Sequence, residues 1–159
     1  MTLPEAGIPK EARPFQGQRA GVATRVLASA LDAVVLVAVL AGGYAVWAAA
    51  VFFWNPSAFG FPAPSRAFVL SVSYVVATGY LSLCWRIAGR TYGDQVIGLR
   101  VTRRDGRPLG FAAALARAVV CVVFPFGLLW TAVSREQRSV ADILVRTSVV
   151  YDWRTAPAT

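Results

Sequence analysis

From Val26 to Trp54 the chain runs for 29 residues with a single charge, Asp32. As a helix, that run would be about 43 Å long, more than a hydrocarbon core of about 30 Å needs, with the excess absorbed by tilt or by a bend at Gly42-Gly43. The apolar core of a signal peptide is only about 7–15 residues, so the run reads as a retained span. Asn55–Arg66, with Pro56, Gly60, Pro62 and Pro64, reads as a short irregular loop. A second run, Ala67–Trp85, has 19 residues without a charge and suffices for another crossing. Trp47, Trp54, Phe59, Phe61 and Trp85 sit near the expected boundaries, as interfacial aromatics do. Composition agrees. Of 159 residues, 57% are hydrophobic and 15% charged, whereas a soluble domain carries about 25% charged residues. Both a soluble enzyme and a disordered chain are disfavoured.

Basic residues set the expected orientation. Residues 1–25 carry four, 55–66 carry one and 86–111 carry six. The positive-inside rule then places the N-terminus and residues 86–111 in the cytoplasm, against anionic lipid headgroups, with the Pro-rich loop outside. This placement also argues against nucleic acid as the partner of the +8 net charge. A third apolar run, Ala112–Val133, contains Arg117 and is broken at Pro125-Phe126-Gly127. The arginines that follow it (Arg135, Arg138, Arg146, Arg154) favour a cytoplasmic C-terminus. The run therefore reads as a re-entrant hairpin with its turn buried in protein, or else as a third span. Leu99–Arg103 alternates apolar and polar residues, the strand period, and Asp105-Gly106 is a turn dipeptide. With the β-branched run Thr147–Tyr151 it could form a small cytoplasmic sheet. The expected class is thus an all-α membrane protein with a small β element. Its membrane domain covers residues 21–153 (spans about 26–54, 67–85 and 112–133) between flexible tails, 1–20 and 154–159. No internal repeat stands out.

Charges within the apolar runs are the candidate site. A central Asp or Arg costs about 2.5–3.5 kcal/mol on insertion scales, so each needs a partner. Arg25 and Asp32 share a helix face but lie about 10 Å apart along the axis, which favours separate partners. Arg117 is the expected partner of Asp32. Asp32 then either pins helices together or binds a cation or proton. Ser71, Ser73 and Thr78 could add oxygens, and Thr78 with Ser82 fits a small-residue packing face. Ser139-Val140-Ala141-Asp142 has the spacing of a capping box. Asp142 either only caps that helix or faces Arg25 or Arg138, locking the tail under the first span. Arg100, Arg138 and Thr91 are second-rank candidates. With no histidine and two isolated cysteines, Cys84 and Cys121, the sequence presents no metal, cofactor or catalytic constellation.

Arg25 and Asp32 in RVLASALD, Asp142 in RSVADILVRTSVVY, and the middle segment GRTYGDQVIGLRVTRRDGRPLGFAAALAR together resemble the Arg-Asp-Asp (RDD) family of small bacterial membrane proteins, over residues 20–152. Asp94 departs from the pattern, where a basic residue would be expected. The resemblance implies a bacterial inner-membrane protein. It also implies the actinobacterial type, which is associated with lipid-import loci of the mammalian-cell-entry kind and fits 15 Arg beside one Lys. The expected function is a non-enzymatic accessory or assembly subunit of a membrane transport system, partnered by other membrane subunits or by itself. The alternative is a small oligomeric cation/proton exchanger using Asp32.

Overall fold

The computed structural model describes residues 16–103, 106–128, 130 and 139–153. Helix α1, Val22–Trp54, has 33 residues and runs unbroken through Gly42-Gly43. At about 50 Å it is long enough to cross a bilayer with length to spare. A turn of 3₁₀ helix, Pro56–Ala58, begins the connection to α2, Arg66–Ile87, which has 22 residues. The Ser65 hydroxyl starts α2 by accepting from the Phe68 amide. Both helices are long and apolar enough to span a membrane. They touch at two levels, well inside the ends of α1: Tyr44 donates to the Pro62 carbonyl of the connecting loop (3.0 Å) and Trp47 meets Phe68 at one, while Tyr80 donates to Asp32 at the other. Between these points the side chains of α1 are largely exposed.

The packed core lies at the end where α1 begins and α2 finishes. Ala20, Ala28, Trp85, Leu99, Val101, Leu109, Ala114, Ala118 and Val149 form it. Helix α3, Tyr92–Ile97, packs on α1 and leads into strand β1, Leu99–Arg103. Helix α4, Phe111–Val123, packs along α2 and is followed by a 3₁₀ turn, Pro125–Leu128. Helix α5, Val140–Val145, leads into strand β2, Thr147–Tyr151. The two segments pair as a small sheet, antiparallel, with Val101 opposite Val149. Among the described residues, the third apolar run holds a 13-residue helix, about 20 Å long, that ends at Val123 and is followed by the 3₁₀ turn.

Two expectations are corrected. Residues 16–20 are not part of a loose tail: Gly17 donates to the Tyr151 carbonyl, Tyr151 to Gln18, and Ala20 to Val149. These bonds cover the free edge of β2, whose amides and carbonyls would otherwise lack partners. The remainder of both expected tails, 1–15 and 154–159, lies outside the described residues.

The second correction is that the chain does contain a repeat. Thr91–Arg103 and Ser139–Tyr151 share one plan without a gap: a Thr or Ser capping box with an Asp at its third helical position, a six-residue helix, a left-handed C-cap and a five-residue strand. The same spacing carries Thr91 to Ser139, Asp94 to Asp142, Gly98 to Arg146 and Val101 to Val149. Because Val101 pairs with Val149, a pseudo-two-fold axis passes through the centre of the sheet and relates the halves.

Two substitutions test this packing. A Cβ on Gly93 would lie 2.0 Å from the Ala28 carbonyl oxygen of α1, whereas one on Gly42 meets nothing. Gly93→Ala should therefore lower unfolding stability in detergent by at least the ~1–3 kcal/mol of an overpacked core, and Gly42→Ala should not. Arg146 holds the left-handed cap (φ 55°) that Gly98 (φ 76°) holds in the other half. That conformation costs a non-glycine residue about 1–2 kcal/mol, so Arg146→Gly should raise the unfolding midpoint.

Candidate functional site

Each half of the repeat grips α1 at one charged residue. In the first half the grip is on Asp32. Its Oδ1 accepts from the Gly93 amide (2.8 Å) and the Tyr80 hydroxyl (2.9 Å), and its Oδ2 accepts from the Thr91 hydroxyl. Tyr80 in turn accepts from the Tyr92 amide (3.1 Å). Thr91 also caps α3, accepting from the Asp94 amide (3.1 Å), while the Asp94 carboxylate accepts from the Thr91 amide and from Trp85 Nε1 (both 3.2 Å). Gly93 is needed because only a residue without a Cβ lets its amide reach Asp32 across the backbone of Ala28.

In the second half the roles reverse. Asp142, with a fully buried side chain, accepts from Arg25 through Oδ2 and from Arg117 through Oδ1. It also accepts from Thr147 Oγ1 (3.1 Å) and the Ser139 amide (3.1 Å), and its own amide donates to Ser139 Oγ (3.2 Å). Arg117 also donates to Thr147 Oγ1, and Arg25 Nε donates to the Ala20 carbonyl (3.1 Å). One carboxylate thus joins α1, α4, α5 and β2.

Trp85 links the two halves. Its indole N–H bonds Asp94, and the Arg117 guanidinium carbon sits 4.8 Å from its ring centroid. A cavity of about 340 Å³ between the two grips is lined by Asp32 and Asp94 of the first and by Arg25 and Arg117 of the second.

The expected Asp32–Arg117 pair does not form. Three neutral donors satisfy Asp32, and Arg117 is drawn to Asp142. A carboxylate embedded among hydroxyl and amide donors needs no cation, and a guanidinium binds best where an acid can accept directly. Asp142 pairs with Arg25 as well as capping α5, so it does more than cap that helix. Arg138 lies outside the described residues. Thr91 is a direct partner of Asp32, whereas Arg100 lies away from both grips and pairs with Asp152 (3.1 Å). The sequence does not single out Tyr80, Gly93 or Thr147 as site residues, and Asp94 stands out in it only as a departure from a basic position. Trp85 reads in it as an interfacial aromatic, but Trp85 is 6% exposed and part of the core. The visible signal for Asp94 was a second capping-box spacing, Thr91-Tyr92-Gly93-Asp94, matching Ser139–Asp142.

The two capping acids differ electrostatically. Burial alone would raise the pKa of Asp142, but the guanidiniums of Arg117 and Arg25 outweigh it and hold the group well below the usual carboxylate range. Burial pushes the Asp94 carboxyl up, and the bonds from Thr91 and Trp85 offset this only in part. The depressed pKa of Asp142 contributes stability above an unfolded value of about 3.9, lost as pH falls through the folded value. The raised pKa of Asp94 works in the opposite sense. Its contribution is present below that unfolded value and is lost as pH rises through the folded one. At neutral pH, Asp142→Asn should therefore destabilise the protein by about 3–5 kcal/mol, leaving two guanidiniums without their carboxylate. Asp94→Asn should cost about 1 kcal/mol or less, since an amide oxygen still accepts from Thr91 and Trp85. Thermal unfolding of both variants in detergent checks the contrast.

Among known proteins, no solved structure matches. The uncharacterized protein YckC of Bacillus subtilis (strain 168) is 25% identical over 97 residues, 55% of this chain. The chain spans 63% of the length of YckC, less than two thirds. The model of the RDD family matches residues 19–146, from the segment that covers β2 to the cap of α5 and through every residue of both grips except Thr147. With two helices fit to span a bilayer and a match over most of its length, the chain is a membrane protein that belongs to the RDD family.

Proposed function

We infer that this protein is a non-enzymatic accessory or assembly subunit of a membrane transport system, in the bacterial inner membrane. One observation carries the reading. The two apolar helices meet at only a few polar and aromatic contacts and leave most of their apolar surface unpacked. So few helices enclose no pathway of their own, while such faces suit lipid and other spanning subunits. The lipid-import association implied by the resemblance to actinobacterial relatives names one kind of transport system to examine.

For orientation, the count of basic residues supports a cytoplasmic N-terminus, a cytoplasmic 86–111 segment and a cytoplasmic C-terminus. Re-entry of the third apolar segment is supported by two features. Helix α4 is too short to cross, and α5 lies back against Arg117 and Arg25. The second reading, a small oligomeric cation/proton exchanger, draws on Asp32 as a buried acid lining the cavity. The three protein donors on that carboxylate favour docking of α3 over ion relay.

Photo-crosslinking amino acids at Val37 and Val46, both exposed on α1, should capture subunits of a larger membrane assembly in native membranes. Crosslinks confined to copies of this chain, together with proton-coupled flux in proteoliposomes that disappears in Asp32→Asn, would replace the subunit reading by the exchanger. A cysteine at Arg103 should react with a membrane-impermeant maleimide only after the cells are opened. Reaction in intact cells would reverse the orientation.

A further inference from the structure

Two short helices of the cap turn apolar side chains outward. Tyr92 and Val96 of α3, and Ile143 and Leu144 of α5, are between 45% and 65% exposed. Val96 and Leu144 are equivalent positions in the repeat, so the pseudo-two-fold sets them on matching faces. Gln95 is exposed beside Val96, but neither helix exposes a charge, since Asp94 and Asp142 are buried. The neighbouring basic residues lie beyond the helix ends, at Arg90, Arg100 and Arg146.

The depth of these helices follows from α2. Its charge-free run, Ala67–Trp85, has 19 residues and is about 28 Å long, barely the ~30 Å of a hydrocarbon core. Both ends of the run must therefore lie at the edges of that core. Helix α3 is tied to the last turns of the run: the Tyr92 amide donates to Tyr80 (3.1 Å), and Trp85 Nε1 donates to Asp94 (3.2 Å). Were α3 in water, Tyr80 would mark the edge, and the part of α2 left to cross the core would fall to about 20 Å. Helix α5 is set at a similar depth through the turn that follows α4. A Cβ on Gly127 would lie 3.1 Å from that of Val140, and Gly127 lines the cavity with Leu36 and Ala77, which lie farther into the spans than Asp32 and Tyr80.

The start of α3 suits such a place. A helix leaves its first four amides without intrahelical acceptors, and at an aqueous surface water supplies them. Hydrocarbon supplies none, so each amide needs an acceptor from the protein. Here all four have one: the Thr91 amide meets Asp94, that of Tyr92 meets Tyr80, that of Gly93 meets Asp32, and that of Asp94 meets Thr91 Oγ1. Tyr92 is the most informative, because its side chain is exposed and its amide is nonetheless bonded within the protein. At α5 a reciprocal capping box serves the amides of Ser139 and Asp142 in the same way.

We propose that α3 and α5 lie inside the edge of the bilayer, with acyl chains of the adjacent leaflet covering Tyr92, Val96, Ile143 and Leu144. The lipid-facing surface then continues from the two spans onto the cap, and the water boundary lies at the arginines beyond. This rests on α1 and α2 as spans. It is independent of the subunit reading and of the orientation, because it is read on this chain alone in vesicles.

The test places the wild-type chain in vesicles of phosphatidylethanolamine and phosphatidylglycerol, with a trace of phosphatidylcholine bearing a diazirine on one acyl chain. Trypsin releases α3 within Thr91–Arg100 and α5 within Ser139–Arg146. After irradiation both peptides should carry lipid label, as should the exposed part of α2, while the strand peptide Thr147–Arg154 should carry none. A second measurement uses a chain with Cys84→Ser and Cys121→Ser. Nitroxides on Val96→Cys and Leu144→Cys should collide with oxygen in preference to a water-soluble nickel chelate, as on Val37→Cys and unlike Arg103→Cys.

Nickel access at both positions, with no lipid label on either peptide, would put the helices in water and overturn the proposal. Spin–spin broadening there, again without label, would assign the two faces to a second copy of the chain and overturn it equally. Should the cysteine-free chain fail to fold, the label map of the wild-type chain decides the matter alone.

Discussion

A single carboxylate held by two guanidiniums organises the packed end of this molecule. Asp142 has no exposure to solvent, and burying a lone charge of that kind would be prohibitive. It is tolerated because Arg25 approaches from the first span and Arg117 from the helix beside the second, while Ser139 and Thr147 fill the remaining acceptor positions. Such a pair adds little net stability over a well-packed apolar alternative, but removing one member leaves the others stranded. Its structural effect is therefore positional. It brings α1, α4, α5 and β2 to a common point.

The pseudo-symmetry of the cap makes the chemistry of the two grips informative. On the Asp142 side, α1 contributes the base and the capped helix contributes the acid. On the Asp32 side, α1 contributes the acid, and the capped helix contributes a hydroxyl and an amide. The same backbone plan has thus been fitted to opposite signs on one helix face, with Arg25 and Asp32 separated by about two turns. The substitution that allows this is small. Ala141 stands where Gly93 stands, and only the glycine half brings its backbone against that of α1. Trp85 then closes the arrangement by bonding the capping acid of one half and lying under the arginine of the other.

Much of this fold was legible in the sequence, because length and periodicity report on the backbone directly. The uninterrupted apolar runs marked α1 and α2, the alternating run Leu99–Arg103 and the β-branched run Thr147–Tyr151 marked the strands, and the serine–aspartate spacing marked the start of α5. What failed was the assignment of partners. Matching Asp32 to Arg117 assumed that a buried acid seeks the nearest cation by sign, whereas three neutral donors from α2 and α3 meet its needs at short range. The repeat escaped notice for a related reason. Between Thr91–Arg103 and Ser139–Tyr151 only the capping aspartates and the central valines are identical, so the likeness resides in caps, helix length and strand register. Asp94 looked anomalous as a departure from a basic position, and its meaning becomes visible only when it is set beside Asp142.

In lipid, apolar faces of neighbouring helices gain little by meeting, since hydrocarbon is already their solvent. A membrane protein held by hydrophobic contact alone would be loosely defined, and here the specific contacts are concentrated where hydrogen bonds and ion pairs are available, at the basic end. The consequence is a division of labour along the helix axes. One end is fixed by saturated polar contacts. The apolar middle is left free for lipid or other spanning chains. The cavity occurs at the junction of these zones, where the apolar wall formed by Leu36 and Leu81 meets Arg117. Any exchange between the membrane phase and the polar cap would meet its chemistry first at that junction.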